Sequence, residues 1–223
     1  MDVIFIGLAL LITGLAQIIL SIKYAVYKKK DVVSDLTGKE VAEKILKEYG
    51  LEEINVVEIS GNLTDHYNNS EKTVNLSSDI YNGRSIASVA VAAHECGHAL
   101  QYKDGYAPIK LRNNLVPFVN IGNKLGYIAI VISLAASLTN LFILGVVLIS
   151  LAVVFQLVTL PCEFNASIRA NKVILEMGLV TEDEQRGTKS MLRAAAFTYV
   201  AGLFSSILQI LRLVYIFTGR RRD

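Results

Sequence analysis

Ala92-Ala93-His94-Glu95-Cys96-Gly97-His98-Ala99-Leu100-Gln101 is the stretch from which the rest of the chain is read. His94 and His98 stand four residues apart, one helical turn, so both imidazoles share a helix face. Two neutral ring nitrogens at that spacing can ligate one zinc ion. Glu95, next to the first, can take a proton from a water on the same metal. The lead-in Ser85-Ile86-Ala87-Ser88-Val89-Ala90-Val91-Ala92-Ala93 is rich in alanine and free of proline, which favours the helix this pattern, H-E-x-x-H, requires. Two of the three histidines in the chain fall inside the motif. The competing reading, two surface histidines and a glutamate on an amphipathic helix, needs no metal.

Around this stretch the sequence is too apolar for an ordinary soluble domain: 52% of its 223 residues are hydrophobic and the mean hydropathy is +0.44. Val3 to Ile22 carries no charge and reaches the ~20 residues a membrane helix needs. It lacks a basic start and an A-x-A cleavage site, which predicts a retained anchor and not a signal peptide. Residues 125–160 are again without charge, too many for one crossing, and Ser137-Leu138-Thr139-Asn140 offers a polar break. A helical hairpin follows, out over about 119–137 and back over 141–160. A last apolar run, 194–218, reads as a fourth segment that crosses or re-enters, followed by Arg220-Arg221-Arg222. A net charge of +2, with basic residues scattered or in short clusters, argues against nucleic acid as a partner. Cys96 and Cys162 are too few for a secreted disulfide framework and suit a reducing compartment.

Between anchor and motif, Thr37-Gly38-Lys39-Glu40 is a capping-box pattern opening a short amphipathic helix that Gly50 closes. Residues 54–59 and 73–77 read as two strands of a hairpin turning at Asn68-Asn69-Ser70. An edge of that sheet is a candidate for holding an extended substrate by strand addition, as well as for plain packing. Asp65, His66 and Tyr67 lie within it, and His66 could present a donor to a transition-state oxyanion. A catalytic zinc site needs a third protein ligand and one open position. Glu163, read as starting a helix just after Pro161, is the choice, with His66 the rival. An acid interacting with a helix dipole would alone explain a glutamate at such a helix start.

The fold class expected is therefore an α-helical multi-pass membrane protein with a small α+β zincin-like domain, its H-E-x-x-H helix preceded by a short β-hairpin. Its parts are an N-terminal transmembrane anchor (1–27), the zincin-like domain (28–116), a transmembrane hairpin (117–160), a helix carrying the third ligand (161–190), and a C-terminal transmembrane or re-entrant segment with its basic tail (191–223). Lys28-Lys29-Lys30, Lys110, Arg112 and Lys124 place the metal side in the cytoplasm by the positive-inside rule.

Together with the motif helix, Leu63-Thr64-Asp65-His66-Tyr67, Val158-Thr159-Leu160-Pro161-Cys162-Glu163-Phe164-Asn165-Ala166-Ser167 and Ala194-Ala195-Ala196-Phe197-Thr198-Tyr199-Val200-Ala201 make the chain resemble the YugP-type neutral zinc metallopeptidases of bacteria over nearly its whole length. It is more distantly similar to the membrane zinc proteases that include HtpX and the CAAX prenyl endopeptidases. The resemblance implies one Zn2+ per chain on His94, His98 and Glu163, with Glu95 as the catalytic residue. It implies an integral protein of the bacterial cell membrane hydrolysing peptide bonds of protein or peptide substrates, and contacts with other membrane proteins. His66, Tyr67, Asp65, Ser167 and Tyr199 are candidates for transition-state or supporting roles. Many glutamate-type zincins carry an aspartate four residues after the third ligand, where this chain has Ser167. Asp65 or Asp79 would then orient a ligating histidine, or the site is held less tightly. The alternative class is a catalytically idle, zinc-stabilised membrane scaffold or interaction protein, which has no use for Glu95.

Overall fold

A computed structural model describes residues 2–220, with the side chain of Arg220 excepted, so the basic tail beyond it lies outside the described residues. The elements in order are α1 (Asp2–Tyr27), α2 (Gly38–Glu48), β1 (Asn55–Ile59), β2 (His66–Asn68), β3 (Thr73–Ser77), α3 (Ser78–Tyr81), α4 (Ile86–Lys103), α5 (Ala107–Ala136), α6 (Thr139–Glu176) and α7 (Glu182–Arg220). The chain divides into two units, one of residues 1–17, 107–161 and 197–223, the other of residues 18–106 and 162–196.

In the first unit every helix is apolar, and α1, α5, α6 and α7 are each long and apolar enough to cross a membrane. Large side chains such as Val3, Phe118, Val131 and Val147 are exposed, as lipid-facing residues would be. The polar break expected near Ser137 is the turn between α5 and α6. Here α5 and α6 approach closely at glycines: a Cβ on Gly126 would lie 2.9 Å from the carbonyl oxygen of Gly145. Asp2 pairs with Arg212, which joins the first turn of α1 to the far end of α7.

The second unit is built around α4. The capping box that opens α2 is formed as the sequence predicts, with the Thr37 hydroxyl accepting from the Glu40 amide and the Glu40 carboxylate accepting from the Thr37 amide. Val41, Ala42 and Ile45 of α2 bury against the small residues of α4, and Val74 and Leu76 of β3 and Ala170, Val173 and Ile174 of α6 belong to the same core. An alanine-rich helix suits this central position because short side chains let several elements approach its axis.

The sheet differs from the expected hairpin. β1 pairs with β3 in parallel, and the antiparallel partner of β3 is a third, very short strand, β2, giving the order β1-β3-β2. The tight turn at residues 68–72 therefore joins β2 to β3, and β1 reaches its place by a longer connection. The second difference concerns Glu163. Pro161 does not open a helix, because the apolar run before it is already helical and α6 continues through the proline. Glu163 thus lies deep inside α6, where the charge of a helix N-terminus gives no account of it.

Candidate metal centre

Three elements of the second unit supply the centre: α4, α6 and the edge strand β2. α4 begins at Ser85, whose hydroxyl accepts from the Ser88 amide and fixes the register of the helix. Counting from there, His94 and His98 come onto the face turned toward α6, while Cys96 turns away, with its Sγ 3.7 Å from the Ala42 carbonyl oxygen. Complete burial pushes the Cys96 thiol well above its ordinary range, as expected for a packing residue.

What lets the two helices meet is Gly97. A Cβ at this position would sit 2.6 Å from the backbone oxygen of Ala166, a distance real side chains do not reach. With only hydrogen there, Glu163 of α6 comes between the two imidazoles. Its Oε2 is 3.2 Å from His94 Nε2 and 3.5 Å from His98 Nε2, and its side chain is almost fully buried. These three residues form the one group among the described residues in which at least three metal-binding side chains converge, their ligand atoms all within 4.8 Å.

The opposite edges of the rings are also engaged. His94 Nδ1 is 3.2 Å from Ser167 Oγ, and His98 Nδ1 is 3.0 Å from Gln101 Oε1. Asn171 in turn donates to the Ser167 carbonyl at 2.9 Å and accepts from the Thr188 hydroxyl at 2.8 Å, tying this turn of α6 to α7. Glu95 is buried, and its Oε2 accepts a hydrogen bond from the Tyr67 amide at 3.0 Å. The edge strand therefore aims a backbone donor at Glu95. Burial of Tyr67, the largest cause, raises its phenol to about 12, and its hydroxyl donates to Asn69.

The remaining candidates lie elsewhere. Asp65 accepts from the amide and hydroxyl of Ser77, closing the end of β3, and Asp79 pairs with Lys28. His66 is exposed, with its Nδ1 against the Thr64 carbonyl and its ring outside the three-residue group. Tyr199 lies on α7 in the other unit. A cavity of about 510 Å³ between the facing sides of α6 and α7 is lined by Ser167 and Asn171 but by none of the three grouped residues. Gln101 and Gly97 escaped the sequence reading, although both stand in the stretch that decided it.

The donor set suits zinc. Two imidazole nitrogens and a carboxylate oxygen are among its common ligands, and bonds of about 2.0–2.1 Å in a tetrahedron place neighbouring ligand atoms about 3.3 Å apart. The observed 3.2 and 3.5 Å bracket that edge. Burial, which disfavours charge, is outweighed at His98 by the Glu163 carboxylate, by Glu95 and by Gln101, so its pKa is raised. The site thus attracts a cation of some kind, a proton where there is no metal.

Comparison with known proteins gives the same direction. A family model described as "Putative neutral zinc metallopeptidase" matches residues 2–218. The "Putative membrane protease YugP" of Bacillus subtilis (strain 168) is 40% identical over 223 residues, covering 99% of each chain. No solved structure matches significantly. The chain belongs to the neutral zinc metallopeptidase family that this model describes.

Proposed function

We propose that this protein is a zinc-dependent endopeptidase of the bacterial cell membrane, in which His94, His98 and Glu163 hold one Zn2+ and Glu95 is the general base. The observation that carries the proposal is the convergence of two Nε2 atoms on one carboxylate oxygen, at 3.2 and 3.5 Å, with both Nδ1 atoms already facing other partners. With the ring protons on Nδ1, facing Ser167 and Gln101, the Nε2 lone pairs and the carboxylate would repel one another in this buried place unless a cation lay among them. Three ligands leave a fourth position open, which is the usual catalytic arrangement.

Zinc held there supplies a Lewis acid that makes water nucleophilic near neutral pH and polarises a carbonyl. The chain supplies the rest. Glu95 takes the proton of the attacking water on its carboxylate and delivers it to the leaving amine. The Tyr67 amide, donating to Glu95 Oε2, holds that carboxylate in place. As the edge strand of its sheet, β2 is also where an extended peptide would run, with its backbone beside the metal. This is a zincin-type reading of the H-E-x-x-H helix.

The name of the Bacillus subtilis relative and the four apolar helices favour substrates in or close to the membrane. The site faces the cytoplasm in this proposal, since the Lys28-Lys29-Lys30 cluster directly follows α1. The pairing of Asp2 with Arg212 supports four crossings, with the start of α1 and the Arg212 end of α7 on the opposite face, over a re-entrant last segment.

The test compares wild type, Glu163→Ala and Glu95→Gln, purified in detergent, for bound zinc and for hydrolysis of an unfolded protein substrate. Wild type should hold about one zinc per chain. Glu163→Ala should lose most of it, and Glu95→Gln should keep it while losing turnover. A Glu95→Gln protein as active as wild type sinks the mechanism. Full zinc occupancy in Glu163→Ala removes that ligand and promotes His66.

A further inference from the structure

Gln101 is fully buried, one turn beyond His98 on α4, and an uncharged long side chain in that position must have its amide groups satisfied. Its partners are His98 Nδ1 at 3.0 Å from Oε1, and the Cys162 carbonyl oxygen and Asn165 Oδ1 at 2.7 and 3.0 Å from Nε2. Which end of the amide faces which partner follows from the far end of the chain of contacts. Arg169 Nε lies 2.8 Å from Asn165 Oδ1, and a guanidinium can only donate, so the Asn165 atom it meets is the oxygen. Arg169 is itself held by Asp104. An oxygen on Asn165 and an oxygen on Cys162 both call for a donor, so the Gln101 NH2 faces them. Its carbonyl oxygen is thereby left facing His98, where it can only accept.

We propose that Gln101 is a positioning residue: through Arg169 and Asn165 its amide is locked so that His98 carries its ring proton on Nδ1 and turns its Nε2 lone pair toward Glu163 and His94. The assignment rests on the zinc reading above for its purpose, though not for its geometry. It also accounts for how this site would manage without an acid four residues after Glu163. His94 leans on the Ser167 hydroxyl and His98 on a neutral amide, so neither ligand has a carboxylate behind it. Direction is supplied without added negative charge.

The experiment uses full-length protein in detergent, labelled with 15N-histidine. In metal-free wild type, at a pH high enough for the ring to be neutral, His98 Nδ1–H should give a ring proton protected from solvent exchange by its bond to Gln101. Gln101→Leu should lose that signal and bind zinc about 10- to 100-fold more weakly in chelator competition, the range seen when a partner behind a ligating histidine is removed. Gln101→Leu with both the protected proton and the zinc affinity intact overturns the proposal. If Gln101→Leu does not fold, Gln101→Glu, which keeps an acceptor opposite Nδ1, decides: retention of the protected proton supports the role and its loss refutes it. Arg169→Met removes the lock without touching His98 and should weaken protection partway; unchanged exchange there shows that the relay does not reach the ring. Wild type that binds no zinc sinks the peptidase reading alone, because the exchange measurement is made without metal.

Discussion

Gly97→Ala tests whether the closeness of α4 and α6 is what makes the metal centre. The added Cβ would begin 2.6 Å from the Ala166 oxygen and 3.2 Å from two more backbone atoms of that residue. None of these can swing aside as a side chain would. Ordinary contact begins near 3.4 Å, so the helices must part by several tenths of an ångström, up to about 0.8 Å. Zinc ligation tolerates errors of only about 0.2 Å in its bonds. Glu163, three residues before the clash at Ala166 on α6, moves with the helix. Stability should suffer less than the site does, because overpacking costs about 1–3 kcal/mol while alanine for glycine in a helix returns about 1 kcal/mol. The expected result is a folded protein whose zinc affinity has fallen about tenfold or more. The assays are chelator competition for zinc and thermal unfolding with and without the metal, where wild type gains stability by mass action and the variant gains little. A Gly97→Ala protein with wild-type zinc affinity would refute the claim that this contact sets the ligand spacing.

Zinc uptake should weaken as pH falls, starting above the ordinary histidine range. Burial opposes charge on His98, but Glu163, Glu95 and Gln101 together raise its pKa, so in the metal-free protein a proton competes with zinc to higher pH. Zinc affinity that stays flat from about pH 8 to about pH 6 contradicts this. Thr37→Ala should cost about 1 kcal/mol of stability by removing the capping box, measured by thermal or denaturant unfolding, with zinc affinity unaltered. His66→Ala should leave zinc content at the wild-type level, because the ring is exposed and outside the ligand group, and loss of metal in that variant would restore it as a ligand.

What could be read from the sequence was whatever is written locally. The capping box, the i, i+4 histidines and the polar break before α6 are each decided by neighbours within a turn or two, and each has the structure its residues dictate. Pairing between distant residues was not legible. β2 is three residues long, too short for an alternation pattern to register, and the parallel pairing of β1 with β3 leaves no turn signature. Pro161 was read as a helix opener because proline at a first turn and proline inside a long apolar helix look alike from one side. Asp65 drew attention as an acid near the motif, but its position at the end of β3 gives it to Ser77. Of the supports of the two histidines, Ser167 was singled out by its place four residues after Glu163, whereas Gln101 is a neutral residue of no special rarity that only its contacts in space mark out.

Glu163 as the proposed third ligand would also set an order of events during synthesis. His94 and Glu163 are 69 residues apart, and the α5–α6 turn lies between them. At about 5–20 residues per second a ribosome needs roughly 3–14 s to travel that distance. Throughout that interval the nascent chain holds the two histidines without Glu163, while the apolar helices on either side of the turn are still being made. In the proposed reading, a complete site would thereby wait until α1, α5 and the apolar part of α6 have been made, so a chain that stalls earlier would have none.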